Sequence, residues 1–136
     1  MTRATQPARR DPLGPAGERA AARYLRRRGY RVLGRNIQTA AGEADLVCEA
    51  PDRRTIVIVE VKSRRRIEGQ PVRSAETAPE ASVTAEKRRK LGAIARTLAA
   101  LNRWTDRPLR IDVVAVERLD RRFRRWQIRH LPDAVR

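Results

Sequence analysis

The sequence predicts an α/β fold, a mixed sheet flanked by helices. Three observations carry that expectation. Apolar residues recur at helical spacing over Leu13–Arg28 and again over Ser82–Arg103. Thr55-Ile56-Val57-Ile58-Val59 is β-branched and apolar on both faces, as suits a strand covered on both sides. The order is helix, three strands, helix, two strands. A crossover through a helix joins the third and fourth strands, which should therefore be parallel, beside an antiparallel hairpin.

Residues 1–12 read as a disordered basic arm, with Pro7 and Pro12 and no periodicity. Residues 13–136 are expected to form a single domain. The first helix has Pro15 in its first turn and Gly29 past its end. Ala20, Ala21, Tyr24 and Leu25 form its apolar stripe, and Glu18 shares that side. Taken alone, Glu18 reads more readily as an ordinary first-turn acid favoured by the helix dipole. Tyr30–Ile37 reads as the first strand. Arg64–Ala81 is polar, rich in Pro, Gly and Glu, and too long for a routine connection, so a mobile loop is expected. The second helix is capped by Ser82 or Thr84. Its stripe is Leu91, Ile94, Leu98 and Leu101, with Lys87 in line and Arg88, Arg89 and Lys90 off it. Lys87 either reaches a site at the sheet edge or snorkels to water, the commoner outcome. Leu109–Leu119 and Phe123–His130 complete the sheet, the last as an Arg-rich edge strand.

The organising stretch is Gly42–Arg64. A hairpin there closes on Asp52-Arg53, or on a longer loop from Pro51 to Arg54. Either closure puts Asp45 opposite Glu60 and Glu43 opposite Lys62, all four side chains on one face. Opposed carboxylates about 5 Å apart repel by about 3 kcal/mol at an effective dielectric of ~20. A cation is expected between them. A divalent ion held by oxygen ligands is one candidate. A salt-bridge cluster with Lys62, of little consequence, is the other.

Composition narrows the partners. Lysine and arginine number 32 against 16 acids, a net charge of +16. Arginine enrichment alone reflects base composition as readily as function. The net charge points to a polyanion, most simply nucleic acid. An anionic membrane surface and ribosomal RNA compete. No window is apolar enough for a membrane span, and the N-terminus has no secretory pattern. Cys48 is the sole cysteine and His130 the sole histidine. A reducing cytoplasm fits, and His/Cys zinc sites are effectively excluded.

The acids have a chemical reading. Asp45 and Glu60 are hard ligands suited to Mg²⁺ or Mn²⁺, with Glu43 supporting them or acting as an additional ligand; such an ion lowers the pKa of a bound water and stabilises charge on phosphorus. Lys62 points the same way as Glu60, where it orients or deprotonates that water, or stabilises the transition state. Arg64, Arg65, Lys87, Arg88, Arg89 and Lys90 are the candidate nucleic-acid contacts.

At these residues the chain resembles the PD-(D/E)xK, or restriction-endonuclease-like, superfamily, whose core is αβββαβ. More closely it resembles the YraN-like family. The stretches that carry this are GERAAARYLRRRGYRVLGRN (17–36), GEADLV (42–47), VIVEVKSR (57–64), VTAEKRRKL (83–91) and LRIDVVAV (109–116). Ala44 stands where that family usually has Ile. The resemblance implies Asp45, Glu60 and Lys62 as the catalytic core. It implies Glu18 as the first-helix glutamate of archaeal Holliday-junction resolvases, a further metal ligand, with a homodimer by the same analogy. Two readings follow. One is a metal-dependent endonuclease on DNA, branched or single-stranded. The other is a nucleic-acid-binding protein with a degenerate nuclease site.

Overall fold

The computed structural model describes residues 13–65, 84–120 and 125–134. The expected basic arm, and the expected mobile loop from residue 66 on, lie outside them.

The elements are α1 (Leu13–Arg27), β1 (Arg31–Thr39), β2 (Gly42–Glu49), β3 (Ile56–Arg65), α2 (Ala85–Asn102), β4 (Leu109–Asp120) and β5 (Arg125–Leu131). Helix α1 ends where Gly29 takes φ 91°, a conformation glycine adopts without strain. Gly29 N–H then donates to Arg26 O, and Tyr30 N–H to Leu25 O. Helix α2 starts at Thr84, whose hydroxyl accepts from the Lys87 N–H at 3.2 Å. It ends at Arg103, left-handed at φ 57°.

The five strands run in the order β1-β2-β3-β4-β5. β3 pairs antiparallel with β2 and parallel with β4, so the sheet is mixed, as expected. The hairpin closes by the longer of the two routes. Ala50 N–H donates to Thr55 O. The Asp52 carboxylate takes the Arg54 and Thr55 N–H groups and the Thr55 hydroxyl. These bonds, led by the Thr55 hydroxyl, hold its pKa down to about 2.

Each face of the sheet carries its own core. On one, Ala21, Ala22 and Leu25 of α1 pack on Leu46, Cys48, Val57, Val59, Val114 and Val116. On the other, Leu91, Ile94, Ala95 and Leu98 of α2 pack on Ala44, Val47, Ile56, Ile58 and Ile111. β3 feeds both faces, which is why its first half is apolar throughout. Gly17 lets α1 sit close, because a Cβ there would overlap the Ser63 hydroxyl on β3. The α2 stripe stops short of Leu101, which is 72% exposed. The helix ends just beyond it, and Trp104 packs against that core instead.

Candidate functional site

The hairpin register holds over Leu46↔Val59, Val47↔Ile58, Cys48↔Val57 and Glu49↔Ile56. It goes no further. The expected pairs Asp45↔Glu60 and Glu43↔Lys62 are not formed as ladder pairs. Leu46 packs toward α1, while Ala44, two residues away, packs toward α2. Strict alternation would put both on one face, so β2 slips by one position at Asp45. In β1–β2 the ladder pairs Arg35↔Leu46 and Ile37↔Ala44 flank Asp45, and Asn36 between Arg35 and Ile37 has a φ of 48°. This irregularity in β1 accompanies the slip.

The slip opens the sheet between β2 and β3. The Asp45 carboxylate fills the opening, and its Oδ2 accepts from the Val61 N–H at 2.9 Å. Oδ1 has no hydrogen bond among the described residues. Burial pushes the Asp45 pKa up to about 6, against the Val61 hydrogen bond, and Glu18, Glu60 and Glu43 add to the rise. Those three acids are therefore within electrostatic reach of Asp45. Glu43 is exposed and takes the Gln38 amide at 2.8 Å. Glu18 is half-buried on α1.

Glu60 and Lys62 follow Ile58 on the α2 face of β3. Lys87 reaches down from the first turn of α2, and its Nζ lies 2.6 Å from Glu60 Oε1. Lys62 Nζ is 3.8 Å from the same oxygen. The other oxygen, Glu60 Oε2, is buried with no hydrogen-bond partner among the described residues. The neighbouring Lys87 ammonium lowers the Lys62 pKa, with burial acting the same way and Glu60 opposing. Burial disfavours the charge on Lys87 too, but its hydrogen bonds to Glu60 and Lys62 outweigh that and raise its pKa.

Sequence reasoning thus placed Lys87 in line with the core, and it does reach the acids. The remaining basic candidates lie apart. Arg88 and Arg89 are exposed on α2. Lys90 lies over Gly42, where a Cβ would come within 2.8 Å of its Cε. Arg64 and Arg65 end β3, paired with Glu117 and Arg118 of β4.

Could this set hold an ion? Among the described residues no three acidic, histidine or cysteine side chains converge as a ready metal site. Mg²⁺ does not need one: it commonly takes one or two carboxylates, several waters and a phosphate oxygen. Asp45 and Glu60 each present an oxygen without a partner, one of them buried. The donors fit a hard cation.

A second acid was missed. Asp112, in the apolar run of β4, is fully buried. Its carboxylate takes Arg110 Nε at 2.8 Å, Arg110 Nη2 at 2.9 Å, His130 Nε2 at 2.7 Å and the Asp133 N–H at 2.8 Å. Arg110 also donates to the Tyr30 hydroxyl. Arg110 stands two residues from Asp112, on the same strand face, and that spacing was the available signal.

Among the described residues no helix is long and apolar enough to cross a membrane. The comparisons agree with one another. The UPF0102 protein of Geotalea uraniireducens is 40% identical over 122 residues, 90% of this chain and 87% of that protein. That of Roseiflexus castenholzii is 44% identical over 128 residues, covering 93% and 95%. That of Symbiobacterium thermophilum is 43% identical over 106 residues, covering 77% and 81%. The model of the uncharacterised protein family UPF0102 matches residues 17–116, and the chain belongs to that family.

Proposed function

We propose that the chain is a metal-dependent endonuclease that hydrolyses phosphodiester bonds in DNA, in the cytoplasm. One observation carries this reading. Asp45, Glu60 and Lys62 gather where β2 and β3 part, and the buried Glu60 Oε2 has no partner of its own among the described residues. A buried carboxylate oxygen left bare is costly unless something cationic meets it.

In this reading Asp45 and Glu60 would hold Mg²⁺ or Mn²⁺. When bound, the ion would supply a water of lowered pKa and offset charge on the phosphoryl oxygens. The chain's own groups do the rest. The Val61 N–H fixes the Asp45 carboxylate in the opening. Lys62, its pKa lowered beside Lys87, takes the proton of the attacking water or steadies the pentacoordinate phosphorus. The water oxygen bonds to phosphorus, the P–O bond to the leaving sugar oxygen breaks, and that oxygen takes a proton from solvent. Arg88 and Arg89 would hold the backbone by charge.

The Lys87–Glu60 contact favours a second reading. If Lys87 permanently replaces the ion, the site is a salt-bridge cluster and the chain only binds nucleic acid. Plasmid, single-stranded, flap and four-way-junction DNAs, incubated with Mg²⁺ or Mn²⁺ against EDTA, separate the two. Metal-dependent cleavage is expected. It should fall at least ~100-fold in Lys62→Ala, with binding nearly unchanged. If Lys62→Ala cleaves as well as the parent, the binding reading takes its place.

A further inference from the structure

A groove of about 570 Å³ runs along α1 on the flank facing β4 and β5. Its walls include Arg19, Arg23, Arg27, Tyr24, Arg118 and Trp126. Arg19, Arg23 and Arg27 step by four along the helix, which sets them about 6 Å apart in a row. Among the described residues these three make no ion pair, and no acid lines the groove. Arg118 lies over the Trp126 ring at 5.6 Å. Its Nε is buried and has no hydrogen-bond partner among the described residues. A row of guanidiniums beside two aromatic rings suits phosphates on one side and unpaired bases on the other. Duplex DNA keeps its bases stacked and offers nothing to Trp126.

We propose that this groove binds a single strand of nucleic acid, whose phosphates lie on Arg23 and Arg27 and one of whose bases stacks on the Trp126–Arg118 pair. The groove lies on the other flank of α1 from Glu18, so the strand it holds runs past the acidic cluster rather than through it. The assignment rests on the functional reading only in taking nucleic acid as the partner.

The test is fluorescence anisotropy in EDTA, where nothing is cleaved. Labelled oligothymidylate, oligouridylate and a short duplex are compared over a range of salt. The single strands should bind more tightly than the duplex and quench Trp126. Arg23→Glu with Arg27→Glu, both on exposed positions, should lower the single-strand salt slope by about 1.4. Trp126→Leu should weaken single-strand binding about tenfold and leave duplex binding as it was. A parent that binds no nucleic acid at all removes the shared premise. A parent that binds normally, with both variants unchanged, overturns the groove alone. Because the charge-reversed residues are exposed, that variant remains informative even if Trp126→Leu fails to fold.

Discussion

Two acids on one sheet meet opposite fates. Asp112 of β4 is paired across the β3–β4 ladder with Val59, one residue from Glu60. Asp45 of β2 sits on the other side of β3. Both are taken out of water, and burial alone would raise the pKa of either. At Asp112 the bonds from His130, Arg110 and the Asp133 N–H overcome that, and its pKa is lowered. At Asp45 one backbone N–H is not enough, and burial pushes the carboxyl up to about 6. The first acid has its cations built in. The second has other acids for neighbours, and beside it Glu60 keeps a bare oxygen. A carboxylate that the fold satisfies holds the fold together, and one that it leaves short is available to something from outside.

Removing each acid should therefore move stability in opposite directions. Asp112→Ala strands Arg110 and leaves the Asp133 N–H without its acceptor. A loss of about 3–5 kcal/mol is expected in urea unfolding at neutral pH. The pH dependence follows from the lowered folded pKa. Asp112 contributes its stability above the ordinary carboxylate pKa, and that contribution fades as pH falls through the folded value. A variant no less stable than the parent would reduce the network to decoration.

Asp45→Asn should do the reverse. The folded pKa, about 6, lies above the ordinary 3.8. The folded state thus holds the proton more tightly than the unfolded chain. The ionised group costs nothing below the ordinary value, and its full cost is reached above pH 6. An amide keeps an oxygen for Val61 and carries no charge. Asp45→Asn should gain at most about 3 kcal/mol at pH 8 and almost nothing at pH 4. If Asp45 and Glu60 hold Mg²⁺ as proposed, the ion should raise the parent's melting temperature and leave that of Asp45→Asn where it was. A variant less stable than the parent at pH 8 would mean that Asp45 is a structural acid like Asp112.

Much of this contrast could be read before folding, and the unreadable part has a physical cause. The turn chemistry at Pro51–Arg54 fixed the hairpin register, and four pairs follow it. Helical spacing put Lys87 in line with Leu91 and Ile94, and it meets the acids. What failed was the assumption that β2 alternates to its end. The slip at Asp45 goes with an irregularity at Asn36 of the neighbouring strand, and no local pattern in β2 announces it. The Asp112 network was obscure for a related reason. Its partners come from β4, β5 and the residues after β5, and only tertiary pairing brings them together.

A smaller effect tests how Lys87 is delivered. Thr84 caps α2 by accepting the N–H of Lys87 itself. Thr84→Ala should cost about 1 kcal/mol and loosen the first turn. If the cap matters to the site, cleavage should fall more than stability explains, as judged by activity well below the melting temperature.

The smallest effect decides most sharply between the two acids' roles. Lys87 and Glu60 stand 2.6 Å apart, yet the lysine side chain is 32% exposed and the glutamate 17%. Solvent screening holds such a pair to about 1 kcal/mol or less. Lys87→Met keeps the stem and removes the charge. If Glu60 is a ligand whose oxygen Lys87 shares with an incoming cation, the variant should bind Mg²⁺ about fivefold more tightly, the same ~1 kcal/mol seen from the other side. Its stability without metal should fall only slightly. Calorimetric titration with Mg²⁺ reads the first quantity and urea unfolding in EDTA the second. If instead Lys87 serves Glu60 as Arg110 serves Asp112, the variant should lose several kcal/mol and gain no affinity for the ion. The site would then be a second structural network, and the contrast between the two halves of the sheet would disappear.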